Sequence, residues 1–124
     1  MKRDWDVIRA ILVSLEELPD RRPLNPGEIK IASIDEVSYN MNLLVDRRFI
    51  EGQAQSTVGM GYGPPLVTAW ALTWSGHELL DSIRQESTWS HVKETAISKG
   101  LDLTFDVVVG LARAYISSKT GMSL

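Results

Sequence analysis

Nine residues near the amino terminus, Pro19–Gly27 (PDRRPLNPG), constrain this chain more than any other segment. They hold three prolines and a glycine. Proline lacks an amide donor and bars the helical conformation from the residue before it, so no helix can run through this stretch. Whatever fold the 124 residues adopt, one helix must end here and the next must begin well beyond.

Upstream, the spacing predicts a helix over residues 4–18. Trp5, Ile8, Ile11, Leu12, Leu15 and Leu18 fall on one stripe, and Asp4 is the candidate N-cap. Downstream, Ile29, Ile31 and Ser33 alternate with polar or small residues, which predicts a short strand. Ser33-Ile34-Asp35-Glu36 then has the S-x-x-E form of a capping box. It opens a helix to about Arg47 with a core stripe of Ile34, Val37, Met41, Leu44 and Val45. Residues 49–56 and 66–72 are expected to pair antiparallel around a glycine-rich tip.

Thr73 or Ser75 caps the following helix, whose apolar face includes Leu79, Leu80 and Ile83. A break at Glu86–Thr88 leads to a helix with Trp89, Val92, Ala96 and Ile97 on one side, closed by Gly100. Thr104 or Asp102 caps a last helix over residues 104–118. Its stripe is Phe105, Val108, Val109, Ala112 and Ile116, which Trp74 and Trp89 are placed to help cover. Val107, Leu111 and Ala114 lie on another side with Tyr115 between, and Val107, Leu111 and Tyr115 are the candidate seam of a homodimer.

The order is that of an α+β, winged-helix-like domain: helix, short strand, helix, two-stranded wing. Residues 1–86 form this core, and residues 87–124 form a C-terminal helical extension packed on the same single domain. The phrase Leu72-Thr73-Trp74-Ser75-Gly76-His77-Glu78-Leu79-Leu80 is similar to the L-T-x-x-G-x-x-L-L turn of many bacterial winged-helix regulators. The threonine caps the helix and the glycine lets the strand pack close. The whole chain resembles an uncharacterised, domain-of-unknown-function family of small proteins from phages, prophages and bacteria. The resemblance rests on Met1–Asp6, Asp35–Tyr39 with Leu43 and Leu44, Leu72–Arg84, Trp89, and Leu103–Val107. That family often has His where this chain has Asn40, and Gly where it has Arg48. The resemblance implies a winged-helix-like fold and a phage or prophage origin, with no established activity.

The chemistry-bearing motifs are sparse. With no cysteine and two histidines, thiolate zinc sites and a cysteine nucleophile are excluded. His77-Glu78-Leu79-Leu80-Asp81 is H-E-x-x-H with its second histidine replaced, and reads as a polar helix edge. Gly59–Pro65 has proline where a phosphate loop needs glycine. No G-x-S-x-G elbow is present. The expectation is a non-enzyme with no cofactor.

A net charge of −3 argues against a generic nucleic-acid or membrane-surface binder. No apolar leader or membrane-spanning run is present, so the expected location is cytoplasmic. If DNA is bound, Tyr39, Asn42, Arg47 and Arg48 are the residues to face it. That helix face also carries Asp35 and Asp46, and the wing has no basic side chain, so DNA binding should be weak or absent. Arg21 and Arg22 with Arg47 and Arg48 are candidates for a small basic patch. Met60, Tyr62 and Pro64 at the wing tip are candidate contacts for a protein partner, host or phage. The leading expectation is an interaction or regulatory protein acting by protein–protein contact. The alternative is a winged-helix DNA-binding regulator.

Overall fold

Asp4 begins the first helix as its residue type demands. Its carboxylate accepts from the amides of Asp6 (2.9 Å) and Val7 (3.3 Å), and α1 follows as Trp5–Glu17. A computed structural model describes residues 1–55 and 66–121. The stripe buries Trp5, Ile8, Ile11, Leu12 and Leu15, with Val7 beside them. Each such side chain contributes roughly 1.5–3 kcal/mol when withdrawn from water.

The proline segment is not helical, but it is more ordered than a plain loop. Leu24 bridges Ala69 in both directions, its amide donating at 2.6 Å and its carbonyl accepting at 3.2 Å. A 3-10 turn, Pro26–Glu28, comes next. The strand expected at Ile29, Ile31 and Ser33 does not form. Ile29 is buried and Ile31 exposed in a turn that leads to the next helix, so two alternating isoleucines imitated a strand without pairing. The short strand-like contact lies earlier, at Leu24.

Ser33 caps α2, Ile34–Asp46, accepting from the Glu36 amide at 3.1 Å and donating to the Glu36 carboxylate at 3.0 Å. Val37, Met41 and Leu44 are buried as the stripe requires, whereas Ile34 points outward and is 56% exposed. Asn40 is fully buried and satisfied at both ends. Its Oδ1 accepts the Asp4 amide and its Nδ2 donates to the Glu36 carbonyl, each at 2.9 Å. That pair of bonds fixes the start of α1 against α2, and leaving either group unpaired would cost about 1–3 kcal/mol.

Strands β1, Ile50–Gln55, and β2, Leu66–Leu72, pair antiparallel with a bulge between Glu51 and Gly52. Ile50, Val67, Ala69 and Leu72 turn into the core that α1 and α2 cover. Helix α3 follows as Trp74–Ile83.

The chain forms two compact units, Met1–Glu78 and Leu79–Leu124. The second begins within α3, at Leu79, and continues with α4, Glu86–Lys99, and α5, Phe105–Thr120. The break falls at residues 84–85, ahead of the expected Glu86–Thr88, and Glu86 is already helical. Trp89, Val92 and Ala96 are buried where α4 packs on α5, but Ile97 is 80% exposed. Gly100 closes α4 in the left-handed region (φ 65°), and Thr104 caps α5 through the Val107 amide at 3.2 Å. Of the expected α5 stripe, Val108 and Ala112 are buried and Phe105 is 42% exposed. No described helix is long and apolar enough to cross a membrane.

Candidate functional site

A compact corner forms where α2 ends, β1 begins and α3 starts. After Asp46 the chain turns sharply. Arg48 takes φ 61°, the one non-glycine residue with positive φ among the described residues. Its amide donates to Val45 (3.0 Å) and that of Phe49 to Leu44 (2.9 Å), which closes the helix end. A glycine would adopt this conformation without strain.

Thr73 fastens the corner. Its Oγ1 donates to the Arg48 carbonyl at 2.6 Å and accepts from the Gly76 amide at 3.1 Å. Its own amide donates to the Phe49 carbonyl at 3.1 Å. A Cβ on Gly76 would overlap that same Phe49 carbonyl oxygen, so the helix start lies directly on the backbone of the α2–β1 turn. The threonine thus caps the helix as expected, while the glycine lets the helix start pack close on the α2–β1 turn and not on a strand.

The opposite side of this turn is bare. Trp74 is 81% exposed, and Ser75, His77 and Glu78 are exposed beside it. At about 100° per residue, Trp74 and Glu78 both lie about 160° round the helix from Gly76, and only about 40° from each other. Trp74, expected as cover for the last helix, is thus a surface residue, while Trp89 is buried. The signal for this was present: Leu79, Leu80 and Ile83 fix the buried side of α3, and Trp74 falls opposite.

Next to the corner is an open cleft of about 660 Å³ lined by Arg21, Asp46, Arg48, Glu51, Trp70 and Thr73, among others. The bulge shapes it. Glu51 faces Ala71 and Gly52 faces Ala69, so Trp70 has no opposite residue in the ladder and is half-buried. Gly52 permits the close approach, since a Cβ there would meet the Thr68 carbonyl oxygen at 2.6 Å. Arg21 and Glu51 form an ion pair at 2.8 Å. The cleft thus holds two cations and two carboxylates, with no net charge.

The candidate DNA face is dispersed. Tyr39 and Asn42 are half-buried on α2, with Asp35, Glu36 and Asp46 exposed along the same helix. Arg47 and Arg48 are exposed at its far end and pair with no carboxylate among the described residues. The other two arginines are engaged: Arg21 by Glu51 and Arg22 by Glu28 at 3.1 Å. The Asn25 amide, and then Arg22, hold the Glu28 carboxyl below its ordinary value of 4.5.

Met60, Tyr62 and Pro64 lie outside the described residues. Val107, Leu111 and Tyr115 are half-buried on α5. Tyr115 stacks on His91 of α4 with ring centres 4.3 Å apart, and the Lys119 ammonium lies 5.5 Å from the Tyr115 ring. Among the described residues no group of three His, Cys, Asp or Glu side chains is arranged to hold a metal ion.

Comparison with known proteins gives two matches. Residues 2–102 match the model of a family described as "Hypothetical protein (DUF2513)". A protein of Haemophilus influenzae named "Uncharacterized protein" is 39% identical over 118 residues, covering 94% of this chain and 97% of that one. No solved structure matches.

Proposed function

We propose that this chain, which belongs to the DUF2513 family, is a winged-helix-like, non-enzymatic regulatory protein that acts by binding another protein, host or phage, through the outer side of α3. The winged-helix-like reading is supported by the order of elements: α1, the Leu24–Ala69 bridge, α2, the β1–β2 hairpin and α3. The 3-10 turn Pro26–Glu28 stands where a helix-turn-helix has its supporting helix.

One observation carries the functional reading: Trp74 is 81% exposed. Apolar surface left in water forgoes roughly 25 cal/mol for each Å². Tryptophan is the residue type most enriched among the side chains that dominate protein interfaces. The acidic exposed groups of α2 weigh in the same direction, since they repel phosphate.

The test places a photo-crosslinking amino acid at the exposed position 77, which leaves Trp74 in place, in living cells, with the exposed Lys99 position as control. A discrete adduct at 77 and none at 99 is the expected result; equal labelling at both, or no adduct at 77, defeats the reading. A gel shift decides the DNA alternative. Binding no tighter than about 10 μM and indifferent to sequence is expected. Nanomolar, sequence-dependent binding that disappears on replacing Arg47 and Arg48 with alanine would establish DNA as the target instead.

A further inference from the structure

We infer that Trp74 and Glu78 form a clamp for an arginine side chain presented by the partner. The inference rests on the protein-contact reading and names the chemistry that the contact recognises. Trp74 and Glu78 are four residues apart on α3, so their side chains are neighbours on one helix face. Both are exposed, and Glu78 forms no ion pair among the described residues. An indole face attracts a cation through its quadrupole, and a carboxylate one turn away neutralises the same charge.

Charge along the chain favours this occupant. Between Arg48 and Arg84 there is no lysine or arginine, while Glu51, Glu78 and Asp81 all fall in that interval. Asp81 is already paired with Arg84 at 2.7 Å, which leaves Glu78 as the unpaired carboxylate of α3. The helix itself supplies no cation to lie over the Trp74 ring, unlike Trp5 and Trp89, which have Arg3 and Lys93 at 5.7 and 5.5 Å. Arginine fits better than lysine because its planar guanidinium stacks on the ring and presents a donor edge to the carboxylate at once.

The experiment titrates the full-length protein with hexa-arginine, hexalysine and hexaglutamate peptides, measures affinity by isothermal titration calorimetry and follows the tryptophan indole signals by NMR. Hexa-arginine should move the Trp74 indole, hexalysine should bind at least fivefold more weakly, and hexaglutamate should do nothing. Trp74→Ala and Glu78→Gln should each weaken hexa-arginine binding at least tenfold. Asp35→Asn, at an exposed carboxylate on another helix, should change it less than twofold. Unmoved signals of the other three indoles show that each variant is folded.

If hexa-arginine binding survives Trp74→Ala, or Asp35→Asn weakens it as much as Glu78→Gln, the attraction is diffuse and the clamp is overturned. If the crosslink at position 77 forms but hexa-arginine leaves the Trp74 indole unmoved, the partner contact stands and the arginine clamp falls. If hexa-arginine binds as expected but no crosslink forms, the clamp chemistry stands and the protein-contact reading falls.

Discussion

The start of α3 has two sides that obey different rules. On the inner side, Thr73 makes two hydrogen bonds to the Arg48–Phe49 backbone and accepts a third from the Gly76 amide, and Gly76 lies in steric contact with the Phe49 carbonyl. On the outer side, one and two residues away, Trp74 and Glu78 stand in solvent. The same helical turn is over-determined within and unconstrained without. Residues on the inner side are accounted for by folding. An exposed tryptophan opposite them is not, and the proposed partner contact would account for it.

The sharpest way to break this comparison is Gly76→Ala. The added methyl would overlap the Phe49 carbonyl oxygen, which is backbone and cannot swing aside. The variant should lose on the order of 3 kcal/mol, as overpacking against an unyielding neighbour does. Urea unfolding followed by fluorescence measures it. A loss near zero would mean that the α2–β1 turn moves freely relative to α3 and that the inner side is not a clasp. Thr73→Val tests the hydrogen bonds alone at nearly constant shape. It strands the Gly76 amide and removes the donor to Arg48, so a loss of about 1–2 kcal/mol is expected.

The inner side was legible because its chemistry is local. A capping threonine three residues ahead of a glycine, before a leucine stripe, is readable without the rest of the fold, as are Asp4, Ser33, Thr104 and Gly100. The Leu24 bridge was not legible. Its partner, Ala69, is distant in sequence, and proline on both sides of Leu24 argues against a strand until the edge pairing is seen. The alternation of Ile29 and Ile31 drew the strand to the wrong place because period two needs only two residues to appear. The cleft depends on a one-residue bulge, which is a property of the β1–β2 register and has no local sequence signal. The outer side was legible on the helical wheel, but an apolar residue near a buried stripe is easily assigned to the core by type alone.

Arg48→Gly sharpens the comparison from the opposite direction. The corner holds a non-glycine residue at φ 61°, a conformation that costs roughly 1 kcal/mol or more. The variant should gain about 1 kcal/mol, partly offset by the greater chain entropy of glycine. Fluorescence-monitored urea unfolding would show the midpoint rise with an unchanged slope. A lower midpoint would show that the Arg48 side chain contributes more to the corner than its backbone strain removes.

The smallest expected effect on stability is the most informative. Trp74→Ser removes a large apolar side chain, and in a buried position that change costs several kcal/mol. Here the side chain is already 81% exposed, so unfolding returns little additional surface to water. The expected change is within about 0.5 kcal/mol of zero, the usual range for surface positions. Serine is small and polar and leaves Thr73 undisturbed, since the hydrogen bonds of Thr73 run to the other side of the turn. The same variant should bind hexa-arginine at least tenfold more weakly by calorimetry, a readout that does not depend on the deleted ring. Stability that stays level while hexa-arginine affinity falls would separate recognition from folding within a single turn of helix. A loss of 2 kcal/mol or more would instead mean that Trp74 packs against the protein itself in solution, and the contrast between the two sides of α3 would disappear.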